Sequence, residues 1–180
     1  MRRTPLRIAA GLAGAALVAA SFVRIEHFGP ALVGAAGCLV LVAVTVTDLE
    51  RLVVPNRVVL PALAASLVAR TALEPSVRWL LAALGVGGLF LLLAVVYPAG
   101  MGMGDVKLAA FLGAWLGWQA LTAVLLGSFA GAVPSLAMLV RRGRSARKLA
   151  IPYAPFLALG GVVALFAGPA LVHWYRGFGG

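Results

Sequence analysis

Long apolar runs, separated by short polar breaks, fill this sequence and constrain its fold more than any other feature. They extend over Ile8–Val23, Pro30–Thr47, Val58–Leu73, Trp79–Tyr97, Leu108–Val140 and Tyr153 to about Tyr175. A helix crosses a bilayer with about 20 residues, within a range of about 17–25. Several of these runs sit at or just under the lower limit, which bilayer thinning or snorkelling ends can accommodate. Leu108–Val140 holds two short helices, with a break near Gly117-Trp118-Gln119. The expectation is an all-α polytopic bundle of about seven transmembrane helices, six if that run is not split, forming a single integral-membrane domain over residues 1–180. Composition agrees: 63% of residues are hydrophobic and 11% charged. Ordinary soluble domains are about 45–50% apolar and about 25% charged. A water-facing exterior is therefore excluded, and disorder is excluded by the same abundance of apolar side chains.

The formal charge of +10 invites a nucleic-acid reading, but its distribution argues against one. The basic residues sit at the ends of apolar runs rather than along one face, as the positive-inside rule describes. With Arg2, Arg3 and Arg7 in the cytoplasm, alternating spans place eleven basic residues inside and four (Arg24, Arg70, Arg78, Arg176) outside. Treating Leu108–Val140 as one span would move the basic cluster Arg141–Lys148 outside, so the charge bias also favours the split. That cluster reads as a topology signal near anionic headgroups. Trp118, Trp174 and Tyr175 fall near the outer boundary, where amphipathic rings are favoured. Cys38 is the only cysteine and lies within an apolar run, so it reads as a small buried residue. The first run has a second reading as a signal peptide ending in Val18-Ala19-Ala20, which leaves the downstream topology unchanged. Most of the 22 glycines lie inside spans and read as sites of close helix packing.

Five acidic residues are few enough to weigh singly. Glu26 and Glu74 fall in outer loops beside Arg24 and Arg78, and Glu50 falls in an inner loop beside Arg51; all three read as solvated charges. Asp48 ends an apolar run, and Asp105 follows Gly100-Met101-Gly102-Met103-Gly104 and opens the next. Each has a structural explanation, Asp48 as a boundary residue and Asp105 as a helix N-cap. Together they are two carboxylates at one membrane depth on one side, and ionisable groups in spans point to function. Carboxylates about 3 Å apart cannot both ionise easily and share a proton. One can then activate water while the other polarises a peptide carbonyl and helps protonate the leaving amine. This chemistry needs no metal and no other cofactor. There is no His-Glu-x-x-His motif, His27 and His173 fall outside, and no base stands near Ser66, Ser128 or Ser135. Glycines before Asp105 let backbone approach a bound strand and adopt positive φ. A substrate strand could pair with that edge.

These residues resemble a known family. Gly102-Met103-Gly104-Asp105 fits the GxGD motif of intramembrane aspartyl proteases, and the chain looks most like the type IV prepilin peptidases. Thr47-Asp48-Leu49-Glu50 with Val54-Pro55-Asn56 is similar to the segment around that family's first catalytic aspartate. Gly104-Asp105-Val106-Lys107-Leu108 and Gly113-Ala114-Trp115-Leu116-Gly117-Trp118-Gln119 resemble the second, and Ile151 to Gly160 resembles the C-terminal proline-containing segment. The resemblance runs from about residue 44 to 161.

It implies an aspartic endopeptidase in a bacterial cytoplasmic membrane. Such an enzyme removes the short basic leader of type IV pilin-like precursors, prepilins or pseudopilins, at the cytoplasmic face, after a glycine and before the apolar segment. Asp48 and Asp105 would be catalytic. Gly102 and Gly104 would shape the loop, with Lys107 as a local charge partner and Asn56 in the same loop-shaping or substrate-contacting set. Larger members carry a cytoplasmic insertion, often with paired Cys-x-x-Cys motifs, and also methylate the new N-terminus. This chain starts almost directly at the core and has one cysteine, so a peptidase without methyltransferase activity is expected. The rival readings are a small transporter component using both aspartates as a proton or ion relay, and a non-catalytic secretion scaffold. A relay usually needs acids nearer the midplane. Abundant Ala, Gly, Leu and Val, with Arg far above Lys, suggests a GC-rich bacterial genome.

Overall fold

The computed structural model describes residues 3–98, 101–142 and 152–177. Gly100, Ile151 and the basic stretch from Gly143 to Lys148 lie outside the described residues, as do the side chains of Trp174, Tyr175 and Arg176. The described chain forms seven helices: α1 Arg3–Arg24, α2 Phe28–Arg51, α3 Asn56–Leu73, α4 Arg78–Val96, α5 Met103–Leu116, α6 Gln119–Arg142 and α7 Ala154–Gly177. No strand occurs among the described residues. The chain is thus an all-α, polytopic helical membrane protein.

Every expected apolar run is a helix, and the expected break falls at Gly117 and Trp118, between α5 and α6. Gly117 has φ 63° and ψ −141°, a positive-φ conformation that glycine adopts without a Cβ clash, and it ends α5. Four described segments are long and apolar enough to cross a membrane: Pro5–Arg24, Phe28–Arg51, Arg78–Val96 and Gln119–Ala137. α3 carries Arg57 and Arg70 on its 18 residues. α5 has only 14 residues, about 21 Å at 1.5 Å per residue, well short of the roughly 30 Å hydrocarbon layer.

That short helix is the centre of the molecule. It packs against α2, α3, α4, α6 and α7. Leu108, Ala109, Phe111, Leu112, Ala114 and Trp115 along it are fully buried. Surrounded by protein, α5 need not match the lipid thickness. Small residues allow the contacts. A Cβ on Gly113 would come within 2.4 Å of the Ala82 carbonyl oxygen on α4, and one on Gly37 of α2 within 2.0 Å of the Trp115 indole. The Trp115 ring stacks on Phe111, with centroids 5.8 Å apart, and its Nε1 donates to the Val33 carbonyl at 2.9 Å. The last turn of α5 is closed by Arg70 of α3, whose Nε donates to the Trp115 carbonyl at 2.8 Å. α6 and α7 meet as closely: a Cβ on Gly160 would lie 2.0 Å from the Ala123 carbonyl oxygen. α1 is peripheral and packs on α2.

Candidate active site

The ends of α2, α4 and α6 and the starts of α1, α3, α5 and α7 share one end of the bundle, because successive helices run in opposite directions. Asp48 lies in the last turn of α2 and Asp105 in the first turn of α5. The fold brings both to the same end of the bundle, where Gly104, next to Asp105, rests on Val54 in the segment that follows α2. Asp48 is only 6% exposed. Its Oδ2 accepts a hydrogen bond from the backbone N–H of Ala154 at 3.2 Å. Ala154 is the first residue of α7, and first-turn N–H groups have no partner within their own helix.

Asp105 is not the N-cap of α5, as one reading of the sequence had it. Gly102 holds that position with extended backbone, φ −82° and ψ 148°. Asp105 sits three residues further on and reaches back, its Oδ2 accepting from the Gly102 N–H at 3.4 Å. Each carboxylate is therefore set at a helix N-terminus, Asp48 at that of α7 and Asp105 at that of α5. The positive ends of the two helix dipoles offset part of the cost of placing acids beside an apolar core.

Gly104 is inside α5, and no described residue from Met101 to Gly104 has positive φ. Its use is size rather than conformational freedom. A Cβ there would lie 2.7 Å from the Val54 Cβ, so glycine lets the start of α5 rest on the segment joining α2 to α3. That segment begins with Leu52 in the left-handed conformation, φ 53°, the one non-glycine residue with positive φ among those described. Its N–H donates to the Asp48 carbonyl at 2.8 Å, which ends α2 just past the carboxylate. Pro55 then caps α3.

Lys107 does not bond either aspartate. Its Nζ donates to Oδ1 of Asn56, the first residue of α3, at 2.8 Å. Lys107 and Asn56 thus join to tie α5 to α3. Gly102 and Met103 are exposed at the mouth of the site.

Glu50 departs from the sequence reading. It is not a loop charge beside Arg51. It lies in α2, its side chain is 6% exposed, and Arg7 of α1 grips it through Nε at 3.0 Å and Nη2 at 3.1 Å. The partner is 43 residues away, which adjacency in the sequence does not disclose. Glu74, by contrast, pairs with Arg78 as its position suggests. The Ala154 N–H is the functional group that side-chain reasoning missed. The only signal for it is Pro155, which favours the first turn of a helix and so marks where α7 begins. Among the described residues, no three His, Cys, Asp or Glu side chains come together as metal ligands would.

Residues 35–136 match the type IV leader peptidase family, and this stretch is more than half of the chain. The chain belongs to that family. This leader peptidase family member is similar to proteins named prepilin leader peptidase/N-methyltransferase. It is 39% identical to that of Aeromonas salmonicida (strain A449) over 145 residues, covering 76% of this chain and 49% of the relative. It is 35% identical to that of Legionella pneumophila over 148 residues, covering 77% and 51%. It is 35% identical to that of Bacillus subtilis (strain 168) over 146 residues, covering 75% and 55%. The chain therefore spans about half the length of the curated relatives it matches. No solved structure matches it significantly. The family match contains Asp48, Asn56, Gly102, Gly104, Asp105 and Lys107, and it ends before α7 and Ala154.

Proposed function

We propose that this leader peptidase family member is an intramembrane aspartic endopeptidase that cleaves the basic leader of type IV pilin-like precursors. One observation carries the reading: in a chain of this family, two acids 57 positions apart, Asp48 and Asp105, lie at one end of the bundle, each carboxylate held by a backbone N–H at a helix N-terminus. One carboxylate, ionised, takes a proton from a water molecule, whose oxygen attacks the scissile carbonyl carbon. The other, protonated, hydrogen-bonds to the carbonyl oxygen. As the tetrahedral intermediate collapses and the C–N bond breaks, the proton passes to the leaving amine. The Ala154 and Gly102 N–H groups hold the two carboxylates in register from outside the pair. Lys107, Asn56 and Gly104 keep α5 seated on the α2–α3 connection, so they position Asp105 rather than react.

The charge bias of the loops supports a cytoplasmic position for this end of the bundle, in a bacterial inner membrane, with prepilins or pseudopilins as substrates. The proposal covers peptide cleavage alone. It is tested with Asp48→Asn and Asp105→Asn, separately, against a precursor carrying a basic leader, a glycine and an apolar helix. Each variant is expected to lose leader cleavage by at least about 10²–10⁴-fold at normal protein level. Unchanged cleavage in either variant overturns the reading.

A further inference from the structure

A groove of about 340 Å³ runs between α1, α2 and α7. Its walls extend from Leu6 to Leu17 on α1, from Leu41 to Leu49 on α2 and from Pro155 to Val162 on α7, and they are apolar almost throughout. The length of the wall on α1 is about 16 Å along the helix axis. Such a trough fits the side chains along one face of a helix better than a compact polar ligand. Its position is specific. At one end it stops at Leu49 and Pro155, the chain neighbours of Asp48 and of Ala154, whose N–H binds Asp48. The ion pair Arg7–Glu50 joins α1 to α2 at that same end, one residue past Leu6 and Leu49.

The molecule has a second groove, of about 290 Å³, between α2, α3 and α5. On α2 it reaches only from Leu32 to Val40, eight residues short of Asp48. That gap is about 12 Å along the helix. A helix lying there would end that far from Asp48, whereas one lying in the α1–α2–α7 groove ends beside it.

The geometry points to the α1–α2–α7 groove as the docking site for the apolar helix of the precursor, an inference that rests on the proposed leader cleavage. A precursor has a basic leader on the cytoplasmic side of its apolar helix. With that helix against α1, α2 and α7, the junction of helix and leader emerges next to Asp48 and Asp105, and the positive leader leaves past two acids. The Arg7–Glu50 pair holds α1 in place as the outer wall. Recognition of the apolar segment is then physically separate from the chemistry of the scissile bond.

The test uses the full chain in lipid nanodiscs with two substrates, the intact precursor and a soluble peptide containing the leader and only the first few residues beyond the cleavage point. Ala13→Trp fills the groove from an exposed position on its α1 wall. The expected result is a KM for the intact precursor raised about tenfold, with kcat unchanged and with the soluble peptide cleaved as by the unaltered chain. Retained peptide cleavage also reports that the variant is folded. In a second measurement, a photoreactive side chain at Leu159 in the groove is compared with one at Val95, which is exposed on α4. The precursor should crosslink at Leu159 and not at Val95. An unchanged KM, or adducts to lipid alone at Leu159, overturns the docking site while leaving the peptidase intact. If the unaltered chain cleaves neither substrate, the peptidase reading falls and the precursor loses its place as occupant.

Discussion

The two ends of α5 are built by opposite means. At its start, Asp105 reaches back to Gly102, Gly104 lets the turn press on Val54, and Gly102 and Met103 face outward. At its finish, Arg70 takes the Trp115 carbonyl, and both Arg70 and Arg78 lie against the Trp79 ring, at 5.1 and 4.4 Å from its centroid. Trp79 in turn donates from Nε1 to the Glu74 carbonyl and covers Gly117. The helix thus has a negative group at its positive end and a guanidinium at its negative end, the arrangement its dipole favours. The difference lies in what is left over. The closing end uses its charges on backbone and rings and serves as an anchor. The opening end places Asp105 at the same end of the bundle as Asp48, with Gly102 and Met103 exposed beside it.

That contrast can be broken at either end, and the two kinds of damage should differ. The largest effect is expected from Gly104→Val, which drives side-chain atoms into Val54 and displaces Asp105. Leader cleavage should fall about 100-fold with a modest loss of stability, and truncating Val54 to Ala should restore part of the rate. Next is Arg70→Ala at the anchor. It leaves the Trp115 carbonyl without its charged donor and should cost about 1.5–3 kcal/mol of stability, measured by thermal unfolding in detergent, while folded protein keeps its kcat. Gly117→Ala puts a Cβ on a backbone with φ 63° and within 3.0 Å of the Trp79 ring. It should cost about 1–3 kcal/mol, again without changing kcat. The smallest effect belongs to the Lys107–Asn56 bond. A double-mutant cycle of Lys107→Met and Asn56→Ala should give a coupling of about 0.5–1.5 kcal/mol. A catalytic role for Lys107 would instead appear as a large loss of kcat from Lys107→Met alone.

The fold was largely legible in the sequence, because lipid demands long apolar helices and a glycine that ends one of them stands out. All seven helices follow the apolar runs, including the break at Gly117. Which helices cross independently was less legible. α5 reads as a short span from its apolar residues alone, yet it is the buried axis of the bundle, and burial by protein looks the same in sequence as burial by lipid. The family was legible because motif spacing is local.

The supports of the site were not, since they act across distance. The Ala154 N–H is a backbone group 106 positions from Asp48, Lys107 bonds Asn56 51 positions away, and Glu50 is held by Arg7 rather than by its neighbour. Of the two uses of glycine before Asp105, close approach and positive φ, the described residues show close approach, at Gly104 against Val54. The ion-relay alternative finds no support in the family to which the chain belongs.

The central claim is that Asp48 and Asp105 act as one unit. The most direct measurement is single-turnover leader cleavage by Asp48→Asn, Asp105→Asn and the double variant, at equal amounts of folded protein. A shared mechanism predicts that either substitution removes at least about 10²–10⁴-fold of the rate and that the double variant is no slower than the singles, because either loss disables the pair. Losses that multiply in the double variant, or one aspartate whose replacement leaves the rate intact, would contradict it.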